Sequence, residues 1–236
     1  DGIRDIGVTG VRRVLFRSLI TAATAVIGIL IYPSMPQTLV VHYAGNGTAD
    51  RLEAKSVGSA FSLVFLQVGL TALLAGLAAA IIRSRADLDP ARPEGSARWA
   101  RHYMSLGAKA LLGLVAMIDL GLMTSSLLMW TGTVTRWAPL VIVVPVLAAV
   151  VAAVTVLARN NADRGGDGED TGLIHRDDDK FWRAGLIYFN REDPALLVPR
   201  RFGIGWTLNF GEPRAAMLLA GVVALIVLVI TLRFGG

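Results

Sequence analysis

Four stretches of the chain, Phe61 to Ile82, Ala110 to Trp130, Trp137 to Leu157 and Ala215 to Leu232, are apolar from end to end and broken by one charge, Asp119. A helix that crosses the hydrocarbon core of a bilayer needs about 20 such residues, because the core is about 30 Å thick and each helical residue rises about 1.5 Å. All four are long enough, and charges, prolines or aromatic rings bound them as interfacial anchors. A fifth run, Leu19 to Ile31, reaches spanning length only if Val14 to Ser18 are added and Arg17 snorkels outward. The expected fold is an all-α polytopic membrane protein with about five transmembrane helices. Composition agrees: 54% hydrophobic residues, 17% charged and a mean hydropathy of +0.57 over 236 residues are too apolar for an ordinary soluble domain.

The net charge of +5 lies between the apolar runs rather than on one soluble face. Anionic lipid headgroups account for it, and no nucleic-acid partner is expected. Lys and Arg are dense in alternate connections. Arg4, Arg12, Arg13 and Arg17 precede the first run, and Arg83, Arg85, Arg92, Arg98 and Arg101 fill the second connection, while 158–214 is richest of all. Arg51 and Lys55 in one intervening loop and Arg136 in the other are sparse by comparison. Positive loops are retained in the cytoplasm, so the chain is expected in a bacterial cytoplasmic (inner) membrane with its N-terminus in and its C-terminus out. There is no cysteine, hence no disulfide framework or thiolate chemistry.

Residues 1–18 read as a non-native segment or as a basic leader. Residues 19–82 form a unit of two helices and an outer loop. Residues 83–109 hold a cytoplasmic loop and a short interfacial helix around Trp99 and Tyr103, and 110–157 a helical hairpin. A flexible linker is expected at 158–176, a compact aromatic cytoplasmic module at 177–213 and the last helix at 214–236. The stretches Arg83 to Ala97 and Arg159 to Gly172 are rich in Gly, Pro, Asp, Asn and Arg, and are expected to be mobile. Small residues at four-residue spacing, Ala72, Gly76 and Ala80, and the alanines at 148, 149, 152 and 153, suggest close helix contacts.

The outer loop YPSMPQTLVVHYAGNGTADRLEAKS begins with helix-ending prolines, Pro33 and Pro36, and turns at Ala44 to Asp50. His42, Asp50 and Lys55 are its candidate binding residues. Imidazole and carboxylate suit a metal or proton site, but a histidine at a turn beside a local charge cluster needs no ligand, and no metal is assigned. Pro36, His42, Gly45 or Gly47, Asp50 and Lys55 after a first membrane helix resemble the loop signature of the bacterial SdpI-like membrane family, which includes immunity proteins; Leu52 stands where that pattern has an aromatic residue. The resemblance implies protection from a secreted toxin, signalling to a repressor, and a peptide or protein partner.

The segment DDDKFWRAGLIYFNREDPALLVPRRFGIGWTLNFGEP carries the densest pattern: Trp182, Gly185, Tyr188, Asn190, Arg200, Arg201, Gly203, Gly205, Trp206 and Asn209. Asn190 to Pro194 reads as a turn between two aromatic runs, and Gly203 to Gly205 breaks the chain again, so a small α/β or β-hairpin module is expected. Its rings suit the headgroup region, with Arg183, Arg200 and Arg201 against anionic lipid. A phosphate or peptide site at Gly203-Ile204-Gly205 is a weaker reading, since neither a GxGxxG nor a P-loop lysine is present. The order of residues resembles an uncharacterised C-terminal module found with the SdpI-like loop before a final membrane helix. That resemblance implies a fold and an address, with no chemistry attached.

A carboxylate at mid-span is costly, so Asp119 is the candidate intramembrane polar site. Gln67, Thr71 and Thr155 are the polar residues other spans offer it, and a protonated, hydrogen-bonded state within the bundle is expected. Pro145 frees a carbonyl on the neighbouring span and can kink it towards Asp119. The leading function is a non-enzymatic binding, immunity or signalling protein of the cell envelope. The alternative is a small transporter or channel subunit using Asp119. No Ser-His-Asp set, HExxH or nucleotide loop supports an enzyme, and no cofactor is called for.

Overall fold

A computed structural model describes residues 19–84, 86, 88–161, 170–173, 178–201 and 205–234. Residues 1–18, His175 and Gly203 lie outside them. The described chain is mostly helical, with three two-stranded antiparallel sheets. An apolar helix α1, Leu19–Ser34, ends in a 3-10 turn at Tyr32–Ser34 where Pro33 removes a donor. Strands β1 (Thr38–Tyr43) and β2 (Ala49–Ala54) follow, then α2 (Val57–Ile82), α3 (Pro93–Trp130) and α4 (Ala138–Asn161). Two small hairpins come next, β3 (Trp182–Arg183) with β4 (Ile187–Tyr188) and β5 (Leu197–Pro199) with β6 (Trp206–Leu208), before α5 (Pro213–Phe234).

Among the described residues three helices, α2, α3 and α4, are long and apolar enough to cross a membrane; α1 and the Pro213–Val227 part of α5 are shorter apolar helices. The expected third span is the second half of a longer element. Helix α3 begins at Pro93, inside a stretch expected to be mobile, and takes in the interfacial helix without a break. Proline suits a first helical position, Glu94 complements the helix dipole, and Arg92 pairs with Asp89 just ahead. Helix α4 continues through Pro145.

The chain divides into two compact units, one of residues 1–75, 113–150 and 227–236, the other of 76–112 and 151–226. In the first, Ala60, Val64, Gln67 and Thr71 recur at helical spacing on α2, and Val115, Asp119, Leu122 and Ser126 on α3, giving each helix one inward stripe. Trp130 Nε1 donates to the Ala60 carbonyl at 2.7 Å, and its ring meets Phe61, which stacks on Tyr32. Helix α2 starts with a reciprocal cap: the Ser59 amide donates to Ser56 Oγ at 3.1 Å, and the Ser56 amide to Ser59 Oγ at 3.0 Å. The close helix approaches fall at Gly28, against Trp130 and Phe61, and at Gly121, where a β-carbon would lie 3.1 Å from Ile142 Cα.

In the second unit the β5–β6 hairpin lies on helical residues, with Leu197 in one cluster with Ala78, Ile81, Ala108 and Leu112. Trp99, Tyr103 and Trp206 form a ladder with ring centroids 4.9 and 5.3 Å apart. Trp99 Nε1 donates to the Asn160 carbonyl at 2.9 Å, joining α3 to α4. The Trp206 ring packs against Gly107, where any β-carbon would overlap it.

The expected small-residue contacts fall elsewhere. Ala72 and Gly76 are exposed, nothing lies within 4 Å of a β-carbon built on Gly76, and Ala148 and Ala152 are exposed as well. These four positions face away from the chain's own packing, where the larger Val64, Gln67 and Thr71 fill the space between α2 and α3, whereas Ala80 packs on the cluster of Ala78 and Ile81. Gly107→Ala is therefore expected to destabilise by about 1–3 kcal/mol through overpacking against Trp206. Gly76→Ala is expected to be neutral or stabilising by up to about 1 kcal/mol, since helix propensity alone is at stake. Thermal unfolding of the detergent-solubilised protein compares the two.

Candidate functional site

The β1–β2 hairpin gathers two of the three loop candidates. Its register pairs Val40 with Leu52 and His42 with Arg51, with irregularities on both sides of His42. These bulges turn His42 outward, and its Nδ1 lies 2.6 Å from Asp50 Oδ1 with both side chains nearly half exposed. Leu52 is 61% exposed. Lys55 does not join them. Its Nζ reaches the Met35 carbonyl at 3.2 Å and those of Tyr32 and Pro33 at 3.5 Å, so it closes the C-terminal end of α1 and stacks on Tyr32.

Leu39 seats the hairpin from below, in a cluster with Met35, Ala60, Val64, Met129 and Trp130. The turn is seated by Gly47, whose φ of +83° favours glycine and whose β-position would collide with the Arg136 carbonyl. Burial raises the Tyr43 phenol above its ordinary range, while a hydrogen bond with the Thr135 backbone pulls it down, so Tyr43 stays neutral at physiological pH. Two-strand pairing in this loop escaped the sequence reading. Its signal was the alternation Thr38, Val40, His42 against Leu39, Val41, Tyr43 around a Gly-Asn-Gly turn.

Asp119 is fully buried in the first unit. Thr71 Oγ1 lies 2.9 and 3.1 Å from its two carboxyl oxygens, and Gln67 Nε2 donates to its backbone carbonyl at 3.3 Å. Both partners sit on the inward stripe of α2, one turn apart, so the group ties α2 to α3. Thr155 instead returns its hydroxyl to the Val151 carbonyl at 2.8 Å. Gln67 Oε1 and Thr21 Oγ1 are buried without a hydrogen-bond partner among the described residues.

The aromatic module is organised around Asn209. Its Nδ2 donates to the carbonyls of Asn190 (2.8 Å) and Asp193 (2.9 Å), and its Oδ1 accepts from the amides of Asn190 and Gly211, both at 3.0 Å. Two donors and two acceptor positions are all an amide side chain has, so Asn209 is fully satisfied while fully buried. Tyr188, also buried, donates to Asp193 Oδ2 at 3.2 Å and accepts from Asn190 Nδ2 at 3.3 Å. Trp182 meets the Tyr188 ring edge-on at 5.2 Å. Asp193, outside the expected site set, belongs to this network. Gly211 was missed too; a β-carbon there would lie 2.5 Å from the Asn190 carbonyl carbon.

The other expected residues of the module are placed apart. Gly185 follows Ala184 in a turn where both have positive φ, 68° and 50°, as a tight hairpin requires. Gly205, at φ 96°, accepts from the Arg200 amide at 3.1 Å, and Trp206 packs on Gly107. Arg201 pairs with Asp179, and Arg200 is exposed. At the entry to α5, Arg214 Nε donates to Glu212 at 2.7 Å, and this bond, ahead of the opposing desolvation, holds the Glu212 carboxyl below the usual carboxylate range. The stability this contributes is present above the ordinary glutamate value and fades as pH falls through the lowered one. The exposure of its partner, the Arg214 side chain at 60%, keeps it small. Among the described residues no three His, Cys, Asp or Glu side chains group as metal ligands.

Residues 19–68 match the model of a domain of unknown function (DUF1648), and residues 191–215 that of a family of unknown function (DUF5808). The first covers α1, the β1–β2 hairpin and the first part of α2; the second begins just after Tyr188 and Asn190, takes in Asp193, Asn209 and Gly211 of the network, and ends in the first turn of α5. No curated protein and no solved structure matches the chain. Together with the apolar helices, these matches fit a membrane-embedded protein from uncharacterised families.

The bond between α2 and α3 has a direct test. In a double-mutant cycle of Thr71→Val and Asp119→Ala, the coupling is expected near 0.6 kcal/mol and no higher than about 1.7, the range of side-chain hydrogen bonds between membrane helices. Additive effects on unfolding in detergent would show that the two side chains do not interact.

Proposed function

We propose that this chain is a non-enzymatic binding protein of a bacterial cell envelope, SdpI-like in its first two helices, whose β1–β2 hairpin meets a peptide, a secreted toxin or another envelope component. The exposed face of that hairpin is the observation that carries the reading: Leu52 stands in solvent on the same hairpin as the His42–Asp50 pair. An apolar side chain near a solvated His–Asp hydrogen bond, on a hairpin held by Gly47 and Leu39, suits recognition better than packing. Each strand of a two-stranded sheet has only one strand neighbour, a form to which an extended peptide can add. The lean charge of this loop supports its placement outside, with the N-terminus in and the C-terminus out.

Deleting the gene is expected to sensitise cells to a secreted peptide or to envelope stress. Wild-type protein should restore resistance, and a Leu52→Asp variant inserted at the same level should not. Unchanged sensitivity across a panel of such agents would count against the proposal.

One observation favours a second reading, a small transporter or channel subunit. Gln67 keeps a buried, unpartnered Oε1 while its Nε2 is bonded to the Asp119 carbonyl, leaving an acceptor open in the bundle. On that reading Asp119→Asn abolishes pH-dependent flux in proteoliposomes. Purified protein that passes no ion or solute would remove it.

A further inference from the structure

The β3–β4 hairpin turns one face inward and the other out. Trp182 and Tyr188 are paired in register and pack edge-on, while the next pair, Arg183 and Ile187, faces the opposite way. Phe189, two residues beyond Ile187, continues that outward face. The turn adds Leu186, which is 66% exposed, and Ile187 is 45% exposed. Two guanidinium groups lie over the Phe189 ring, that of Arg183 at 5.5 Å and that of Arg191 at 5.7 Å from its centre. Lys180 lies over the Phe181 ring at 4.8 Å, immediately before the hairpin. Large apolar side chains and cations are thus interleaved on one small hairpin, a combination that suits neither bulk water nor a dry protein interface.

The position of this hairpin along the chain identifies its partner. The Phe210 amide donates to the Tyr188 carbonyl at 2.9 Å, and Tyr188 bridges to Asn209, so β4 lies directly beside the residues that lead into Pro213 and α5. From its first turns α5 presents Met217, Val223 and Ile226 to its surroundings, each more than half exposed, as a helix solvated by acyl chains does. Phe210, 43% exposed, is three residues from the start of that helix. Three residues reach at most about 10 Å. Apolar groups of interfacial elements sit about 5–10 Å into the boundary between headgroups and acyl chains, so the hairpin is held at that level.

We propose that the β3–β4 hairpin is a membrane-interface anchor, with Leu186, Ile187 and Phe210 entering the headgroup region of an anionic leaflet and Arg183 and Arg191 taking its lipid phosphates. Arginine binds phosphate through a planar fork while its other face rests on an aromatic ring, which is the arrangement at Phe189. The proposal rests on α5 as a membrane helix and is independent of any ligand at the β1–β2 hairpin.

The chain has no native cysteine, so Leu186→Cys carries a single environment-sensitive fluorophore. The labelled full chain is placed in nanodiscs of phosphatidylcholine alone or mixed with phosphatidylglycerol. With phosphatidylglycerol present, emission should shift to the blue and be quenched by a lipid spin-labelled near its headgroup. Arg183→Gln and Arg191→Gln should each lower the ratio of inserted to withdrawn hairpin about fivefold in the anionic discs, and added salt should act in the same direction. Both arginines are exposed, and intact folding of the variants is checked by unchanged thermal unfolding. Water-like emission in both discs overturns the proposal. So does a blue shift insensitive to lipid charge and to the lipid-borne quencher, which would mean that the hairpin is covered by protein. Neither outcome bears on the resistance phenotype assigned to the β1–β2 hairpin, so the two readings fail separately.

Discussion

A helix surrounded by hydrocarbon must satisfy its backbone amides within itself, because nothing outside it can donate or accept. The polar side chains of this chain fit that requirement as its backbone does. Thr24, Thr124, Ser126, Thr131, Thr155 and Thr231 each return a hydroxyl to the carbonyl four residues earlier, at 2.8 to 3.0 Å. Hydroxyls used in this way demand nothing of the surrounding solvent. The apolar faces left outward, such as Val143, Val144, Leu147 and Val151 on α4, are ones that acyl chains solvate and water does not. Between helices the polar contacts among the described residues are few and specific: Thr71 with Asp119, Gln67 with the Asp119 carbonyl, the Trp130 indole with the Ala60 carbonyl and the Trp99 indole with the Asn160 carbonyl.

In the aromatic module much of the same demand is met by one side chain. Asn209 bonds to backbone groups of residues 190, 193 and 211, so the turn after β4 and the approach to α5 are fastened at a single buried point. Gly211 makes the arrangement possible by letting the backbone at Asn190 come close. Small aromatic modules lack the area to stabilise themselves by burial alone. This one adds the Trp99, Tyr103 and Trp206 ladder on α3 and a saturated polar hub, and its hairpins depend on the helices they rest on.

The helices were legible because a long uncharged run has few alternatives, and the β5–β6 hairpin because Gly-Ile-Gly interrupts an apolar aromatic run; Asn190 to Pro194, expected as a turn between the aromatic runs, instead links the two hairpins, and the β3–β4 turn falls at Ala184-Gly185. The start of α3 was hidden: Arg98, Arg101 and His102 depress hydropathy without opposing helix formation, and Pro93 reads as a breaker when it is a first helical residue. Strands β1 and β2 were hidden because Val40 and Val41 stand side by side and Leu52 is exposed, which blurs the alternation of apolar and polar residues. The small-residue spacing on α2 misled for another reason. Spacing reports which residues share a face and says nothing of what that face meets, and here Ala72 and Gly76 face outward while Val64, Gln67 and Thr71 meet α3. Of the loop candidates, His42 and Asp50 came together as chemistry would suggest, whereas Lys55 was claimed by the carbonyls at the end of α1.

A dense run of distinctive residues is easily taken for a binding site, yet most of the distinctive residues between Trp182 and Asn209 have partners within the module. Tyr188, Asn190 and Asn209 complete a closed network, Gly185 supplies a turn, Trp206 fills the place above Gly107 and Arg201 holds Asp179. A side chain whose donors, acceptors and faces are already satisfied has little left to offer a ligand. The residues that folding leaves outward are less conspicuous in sequence: Leu186 and Ile187 beside arginines, and Leu52 on the hairpin of His42 and Asp50. Each would be an ordinary surface residue alone. Their grouping on tight hairpins with fixed turns makes them surfaces, and both surfaces pair apolar area with charge. Such a combination is stable beside a second phase or a second molecule, and the function of this chain is to be sought at those two places before the Asn209 network.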